Sequence, residues 1–320
     1  MKLIFCGTPR FAVPTLEALL AAGHEIALVV TQPDRPVGRS QQLTAPPVKQ
    51  TALAAGLTVT QPEKIRNNQE FRAQLEAIAP EAIVVVAYGR LIPPWMLALP
   101  RLGCINLHAS LLPRYRGAAP IQWAVAMGDA FTGNTTMLLE EGLDTGPILL
   151  QQALAIAPEQ TAADLFDLLA EGGAQLVVET LAGLDDGSIV PKPQNHAGAT
   201  QAPILVREDG RMDFAAHTAT ELKNRWRGFQ PWPGAFTALD GKKLIVHRMG
   251  AVDDSSLAMP TSAEPGQIHV EGQRLFIACA GKSWLELTEV QLEGKKRLAA
   301  AEFLRGNALA DGKRLGAATR

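Results

Sequence analysis

The stretch Ala82-Ile83-Val84-Val85-Val86-Ala87-Tyr88 is a near-continuous apolar run rich in β-branched side chains. A half-exposed strand would alternate polar and apolar positions, so this run predicts a strand covered on both faces, as in parallel sheets. Toward the N-terminus, Asn67–Ala79 reads as a helix stopped at Pro80 and Pro47–Ala55 as one stopped at Gly56. Glu25–Thr31 and Lys2–Gly7 read as strands, separated by a helix at Pro14–Ala22 with Pro in its first turn and Gly23 just beyond its end. Toward the C-terminus come a strand at Cys104–Ser110, a helix at Ala119–Met127, and strand-like Thr135–Leu139 and Pro147–Ala155. Thr161 with Asp164 resembles a capping box opening a long helix to about Leu184. Strands alternating with helices predict an open, mostly parallel, Rossmann-like α/β sheet with ligands beyond the carboxyl ends of its strands.

From Asp185 to about Pro203 the texture turns to Gly, Pro, Asn and Ser, which reads as a linker. A helix at Ala215–Arg227 follows, then five short strands at Ala235–Leu239, Lys243–Met249, Gly266–Val270, Arg274–Ala280 and Trp284–Gln291. Five such strands with turn residues between them suggest a smaller β-barrel of the oligonucleotide-binding (OB-like) kind. The expected division is therefore a catalytic domain over 1–188, a linker over 189–206 and an OB-like domain over 207–320. A chain of 320 residues also exceeds the size at which single cores stop growing, about 250–300 residues.

With 47% hydrophobic and 19% charged residues, the chain has enough apolar surface to offset its conformational entropy, which excludes disorder as the dominant state. No apolar run reaches the roughly 18 residues of a membrane span, and the apolar run at Leu3–Cys6 is too short for a signal peptide. Cys6, Cys104 and Cys279 are odd in number and far apart, so neither a disulfide framework nor a zinc spacing follows, and a cytoplasmic location is expected. Residues 1–205 hold 13 basic and 18 acidic side chains, net −5, whereas 206–320 hold 17 and 14, net +3. The C-terminal part is the one that could meet a polyanion.

Several motifs fail. The first strand ends in Cys6-Gly7-Thr8-Pro9, not G-x-G-x-x-G, so a dinucleotide cofactor is unsupported. Gly281-Lys282-Ser283 resembles the end of a phosphate loop, but the glycine such a loop needs is Phe276 here. The histidines show neither H-x-x-x-H nor H-E-x-x-H, and no metal is expected. Asp144-Thr145-Gly146 matches the aspartic-protease triplet but has no second copy to pair with.

What remains is Asn106 and His108, two apart on one strand, so that both side chains share a face near its carboxyl end. Asp144 follows in a loop between two apolar strands. An amide, an imidazole and a carboxylate together can stabilise an oxyanion, move a proton and orient the imidazole. The alternative is an Asn and a His satisfied within the sheet, with Asp144 a mere turn residue. Spacing alone does not bring Asp144 to His108.

The N-x-H pair, the run Ser110–Trp123 (SLLPRYRGAAPIQW) and Leu143-Asp144-Thr145-Gly146 resemble the 10-formyltetrahydrofolate-dependent formyltransferases and hydrolases. Phe5–Ala12, the loop Thr31–Arg39 (TQPDRPVGR), Val85–Gly89 and Phe229–Ala235 resemble the branch that acts on methionyl-tRNA. This resemblance covers essentially the whole chain and implies a formyltransferase fold and a formyl donor, 10-formyltetrahydrofolate. It further implies transfer to the amino group of methionyl initiator tRNA, with Asn106, His108 and Asp144 catalytic. The donor would lie along Ser110, Leu111, Leu112 and Pro113. The stretch Gln32–Lys49 exceeds the usual connection of about 2–6 residues; by the resemblance it enters the acceptor end of the tRNA, with Arg35, Arg39 and Lys49 as contacts. No membrane is involved, and a monomer is expected. Two departures stand out: Gln41-Gln42 occupy positions usually basic, and Asn134 replaces a usually hydrophobic residue. The rival enzyme is a formyltransferase for an amino sugar nucleotide, against which the Gly7-Thr8-Pro9 start and the Asp34–Arg39 loop speak. The non-enzymatic rival is an RNA-binding module with a vestigial α/β domain, against which the intact Asn106, His108 and Asp144 speak.

Overall fold

The computed structural model describes residues 1–38, 41–252, 259–307, 309 and 311–316. The chain forms two units. The first comprises Met1–Ile121, Ala130–Ile156 and Asp164–Pro203; the second comprises Gln122–Asp129, Ala157–Ala163 and Ile204–Arg320.

As far as Asp185 the elements are β1 (Lys2–Gly7), α1 (Val13–Ala21), β2 (Glu25–Val30), β3 (Arg35–Val37), β4 (Gln42–Thr44), α2 (Pro47–Ala54) and β5 (Val59–Thr60), followed by α3 (Gln69–Ile78), β6 (Ala82–Val86) and α4 (Pro94–Leu97), then β7 (Cys104–His108), α5 (Pro120–Ala126), β8 (Phe131–Leu138), β9 (Ile148–Ala155) and α6 (Ala162–Asp185). The main sheet has the order β5-β2-β1-β6-β7-β8-β9. Its members from β5 to β7 run parallel, while β8 is antiparallel to both β7 and β9. Strand order reverses between β1 and β6, so Gly7, Val86 and His108 end side by side at the switch point where open sheets bind ligands.

Leu3, Ile4, Phe5 and Cys6 of β1 and Ala82, Ile83, Val84 and Val86 of β6 are wholly buried, which is why these strands read as unbroken apolar runs. On one face Ile4, Cys6, Val30, Ile83 and Val85 pack against Phe71 and Leu75 of α3. That helix starts where the Asn68 side chain accepts from the Phe71 N–H, and it ends with Ala79 in the left-handed conformation before Pro80. Beyond the strand ends, the Thr8 hydroxyl and the Gln32 side-chain amide both donate to the Tyr88 carbonyl, and Arg90 Nε donates to Gln32 Oε1. Where the sequence departs from its resemblance, buried Asn134 donates from Nδ2 to the Leu169 carbonyl at 2.9 Å, tying β8 to α6.

The second unit adds α7 (Ala219–Gly228), β10 (Ala235–Leu239), β11 (Lys242–Ala251), β12 (Ile268–Glu271), β13 (Arg274–Ala278), β14 (Trp284–Leu292), β15 (Leu298–Ala299) and α8 (Ala300–Gly306). Thr218 and Glu221 form a reciprocal capping box at the start of α7. The sheet is antiparallel, in the order β10-β11-β14-β13-β12 with β15 on β14, over a core that includes Leu222, Leu244, Val246, Leu275, Ile277, Leu285 and Phe303. Among the described residues no ladder joins β10 to β12 directly; the segment beyond α8 runs along both edges, the Ile268 N–H of β12 donating to the Lys313 carbonyl and the Gly316 N–H to the Ala238 carbonyl of β10. Within this unit α7 lies close to Gln122–Asp129: a Cβ on Gly228 would stand 2.6 Å from both Ala126 N and the Gln122 carbonyl oxygen. The Trp123 ring meets Phe229 edge-on at 5.4 Å, and the Arg225 guanidinium covers both rings. Arg227 donates to the Ala157 and Gln160 carbonyls.

Burial pushes the Cys6 thiol well above its ordinary value, with neighbouring Cys104 adding to the shift, and pushes Cys104 and Cys279 up to about 12. A pKa raised in the folded state gives stability that is complete below the unfolded thiol value and is lost as pH climbs toward the folded one. Stability should therefore fall from about pH 9 upward, by up to about 1.4 kcal/mol per pH unit for each thiol. Urea unfolding across that alkaline window measures the slope, and Cys104→Ala should flatten it. Stability independent of pH there would contradict this account.

Candidate active site

Asn106 and His108 occupy alternate positions of β7, paired across the sheet with Met137 and Thr135 of β8. They are 8% and 6% exposed, unusual for polar side chains without a structural or chemical task. The backbone of β7 is spent on the sheet, so both side chains are held by a rigid strand and not by a loop. The Asn106 amide makes no hydrogen bond to another described residue, which leaves its donors and acceptor for something else.

The His108 ring has a polar neighbour at each nitrogen and a hydrogen bond at one. Nε2 lies 2.8 Å from the Tyr115 carbonyl oxygen; a carbonyl only accepts, so Nε2 carries the proton. In the neutral ring Nδ1 then has the lone pair, and it faces Asp144 Oδ2 across 3.7 Å. Asp144 sits at φ +51°, and its Oδ2 accepts the Gly117 N–H at 2.8 Å. A proton arriving at Nδ1 would lie between the ring and the Asp144 carboxylate. The structure thus brings together the three residues that spacing alone could not connect. The Tyr115 carbonyl was not singled out from sequence, and it carries no sequence signal because every residue supplies one.

Ser110 and Leu112 are buried, whereas Leu111 and Pro113 are partly open. Ser110 Oγ donates to the Arg114 carbonyl at 2.7 Å, so its hydroxyl is engaged within its own loop. Thr135 Oγ1 donates to the Ser110 carbonyl and accepts the Leu112 N–H, and Gln151 Nε2 donates to the Leu112 carbonyl. These side chains of β8 and β9 fix the course of 110–113, and neither was marked in the sequence.

The stretch after β2 contains the β3–β4 hairpin, in which Arg35 faces Thr44. Arg35 is exposed and makes no ion pair among the described residues, while Arg39 lies outside the described residues. Lys49 is differently placed: its ammonium contacts both Asp34 oxygens at 2.9 and 2.8 Å and also Gln61. That ammonium, and then the Gln61 amide, hold the Asp34 carboxyl below the ordinary carboxylate range. Gln41 donates from its side chain to the Gly38 carbonyl. Among the described residues no group of three or more His, Cys, Asp or Glu side chains could hold a metal ion.

Known proteins give this geometry its setting. Residues 1–181 match the family described as formyl transferase, and residues 204–308 match the formyl transferase C-terminal domain. Formyl transfer is thus the class of chemistry to which the fold belongs. The methionyl-tRNA formyltransferase of Acidobacterium capsulatum is 67% identical over 317 residues, covering 99% of this chain and 100% of the relative. That of Koribacter versatilis is 58% identical over 306 residues, covering 96% of each. The chain belongs to the methionyl-tRNA formyltransferase family. A solved N-formyltransferase from Helicobacter canadensis, in complex with folinic acid and dTDP-3-aminofucose, shares the fold with a TM-score of 0.64 at 17% identity, over 90% of this chain and 98% of its own.

Proposed function

We propose that the protein transfers the formyl group of 10-formyltetrahydrofolate to the α-amino group of methionine esterified to initiator tRNA. The single observation that carries this reading is the cluster at the end of β7: an amide with unused donors, and an imidazole whose free nitrogen faces a carboxylate at 3.7 Å. An α-amine with a pKa of roughly 7.7–8.0 is partly neutral near physiological pH, so it attacks without a covalent protein nucleophile. Asn106 donates to the oxyanion that develops on the formyl oxygen; removing one such donor typically costs about 10²–10³-fold in kcat. His108 takes the proton of the attacking nitrogen at Nδ1 and returns it toward N10 of the departing folate, while Asp144 stabilises the imidazolium between the two steps. The Tyr115 carbonyl keeps the other ring nitrogen protonated throughout. Leu111 and Pro113 form the wall against which the donor lies, backed by buried Ser110 and Leu112. Incubation with the folate donor and charged initiator tRNA should yield formylmethionyl-tRNA. A dTDP-amino sugar formylated in its place would favour the sugar enzyme.

The hairpin after β2 is assigned to the tRNA, with Arg35 and Arg39 on phosphate or an unpaired base of the acceptor end and the basic C-terminal part holding the helix. Lys49 serves the same loop as a brace, since its charge is already met by Asp34. Arg35→Ala and Arg39→Ala should each raise KM for charged tRNA and flatten its salt dependence by about 0.7–0.9 in log–log slope, leaving KM for the donor nearly unchanged. Gln41-Gln42 make the starting slope shallower than a pair of lysines would. Both KM values over a salt series decide the matter; a shift confined to the donor would mean that the hairpin closes over the folate instead.

A further inference from the structure

The segment after α6 reads as a linker from its composition, yet it is laced to both loops of the site. Lys192 and Ile148 exchange backbone hydrogen bonds at 2.8 Å each. The Tyr115 N–H donates to Thr200 Oγ1 at 2.8 Å, the Arg116 N–H to the Thr200 carbonyl at 2.9 Å, and the Ala202 N–H to the Arg116 carbonyl at 2.7 Å. Between these attachments lies Gln194, 6% exposed. Its Nε2 donates to the Asp144 carbonyl at 2.9 Å and to the Gly146 carbonyl at 2.8 Å. Its Oε1 accepts from Arg116 Nε at 3.2 Å and Nη2 at 2.6 Å. Both donors and both acceptor positions of the amide are thereby used.

The two carbonyls held by Gln194 bracket Asp144-Thr145-Gly146. Asp144 adopts a left-handed conformation, which costs a non-glycine residue energy and persists only where neighbours impose it. The same turn aims Oδ2 at His108 Nδ1 and at the Gly117 N–H. Gln194 touches neither of those atoms. It grips the backbone that carries the carboxylate.

We infer that Gln194 is a positioning residue, whose side-chain amide holds the Asp144 turn in the geometry that serves His108. This rests on the role given to Asp144 above. A lesser role would be to solvate Arg116, which is buried, makes no ion pair among the described residues and otherwise donates to His196 Nδ1 at 3.0 Å. Two variants separate the roles. Gln194→Glu keeps the length and still accepts from Arg116, now as an ion pair, but has no amide protons for the two carbonyls. Gln194→Met keeps the length and supplies neither.

If Gln194 positions Asp144, both variants lose about tenfold to a hundredfold in kcat, because displacements near 1 Å are enough for losses of that size. KM for the tRNA and for the folate should each stay within about twofold. Parental kcat in Gln194→Glu, with a loss only in Gln194→Met, would assign the amide to Arg116 and overturn the inference. Hydrogen exchange at residues 142–146 should quicken in Gln194→Met while β1 and β6 keep their protection; unchanged exchange at 142–146 would also overturn it. Asp144→Asn, measured alongside, separates the two levels. Full activity in that variant would remove the role of Asp144 itself, whereas a loss there beside harmless Gln194 variants would remove only the role of Gln194.

Discussion

His108→Ala and Asp144→Asn should each lower kcat by at least about 10²-fold while the chain stays folded. The His108 ring contributes one hydrogen bond, to the Tyr115 carbonyl, and β7 is held by backbone ladders on both sides. Losing that bond costs about 1–3 kcal/mol if the carbonyl is left bare, too little to unfold a sheet of this size. Asp144→Asn keeps an oxygen for the Gly117 N–H but removes the carboxylate charge that faces Nδ1. Ring and carboxylate act on one proton, so the double variant should be barely worse than the poorer single one. Single-turnover kinetics test this directly: two independent losses that multiply would show that they do not form a unit.

Gly133→Ala should be a strongly destabilising change in the first unit. A Cβ there would stand 2.1 Å from the Gln152 carbonyl oxygen and 2.7 Å from Leu111 Cδ2. The Gln152 backbone belongs to β9, paired with β8 in this region, so the clash cannot be relieved by turning a side chain. Overpacking against backbone should cost about 3 kcal/mol, the upper end of the usual range. At roughly 2–4 °C per kcal/mol for a unit of this size, the thermal midpoint should drop by about 6–12 °C. Leu111 yields first, so KM for the folate donor should rise with the loss of stability. A midpoint within about 2 °C of the parent would rule this packing account out.

The elements legible in the sequence were those whose burial leaves a pattern. β1 and β6 sit within the expected runs because apolar side chains covered on both faces need no alternation, and β7 does because Ile105 and Leu107 alternate with Asn106 and His108 after Gly103. The β3–β4 hairpin left no such trace: Arg35 and Pro36 and all of Gln42–Thr44 are exposed, so no face of it is selected for apolar residues. β15 spans only Leu298–Ala299, too short for any period. At the site, Asn106 and His108 could be paired from a strand's twofold repeat. Their meeting with Asp144 depends on β8 and β9 returning the chain across the sheet, which no local signal encodes. Gln194 was hidden differently. Its neighbours have loop composition because they run along other loops as a strap, and composition does not distinguish a strap from a tether.

The three-part make-up of the second unit bears on how such enzymes can be recombined. Gln122–Asp129 and Ala157–Ala163 belong to it although they lie far upstream of Ile204. A gene fragment beginning at residue 204 would therefore encode an incomplete module, with the aromatic partner of Phe229 and the carbonyls that receive Arg227 left behind. A chimera joined at that boundary would mate surfaces from two parents that never matched each other. Grafting the C-terminal part of one family member onto another should succeed only when the two upstream segments travel with it, so lineages exchanging this part are expected to change all three stretches together.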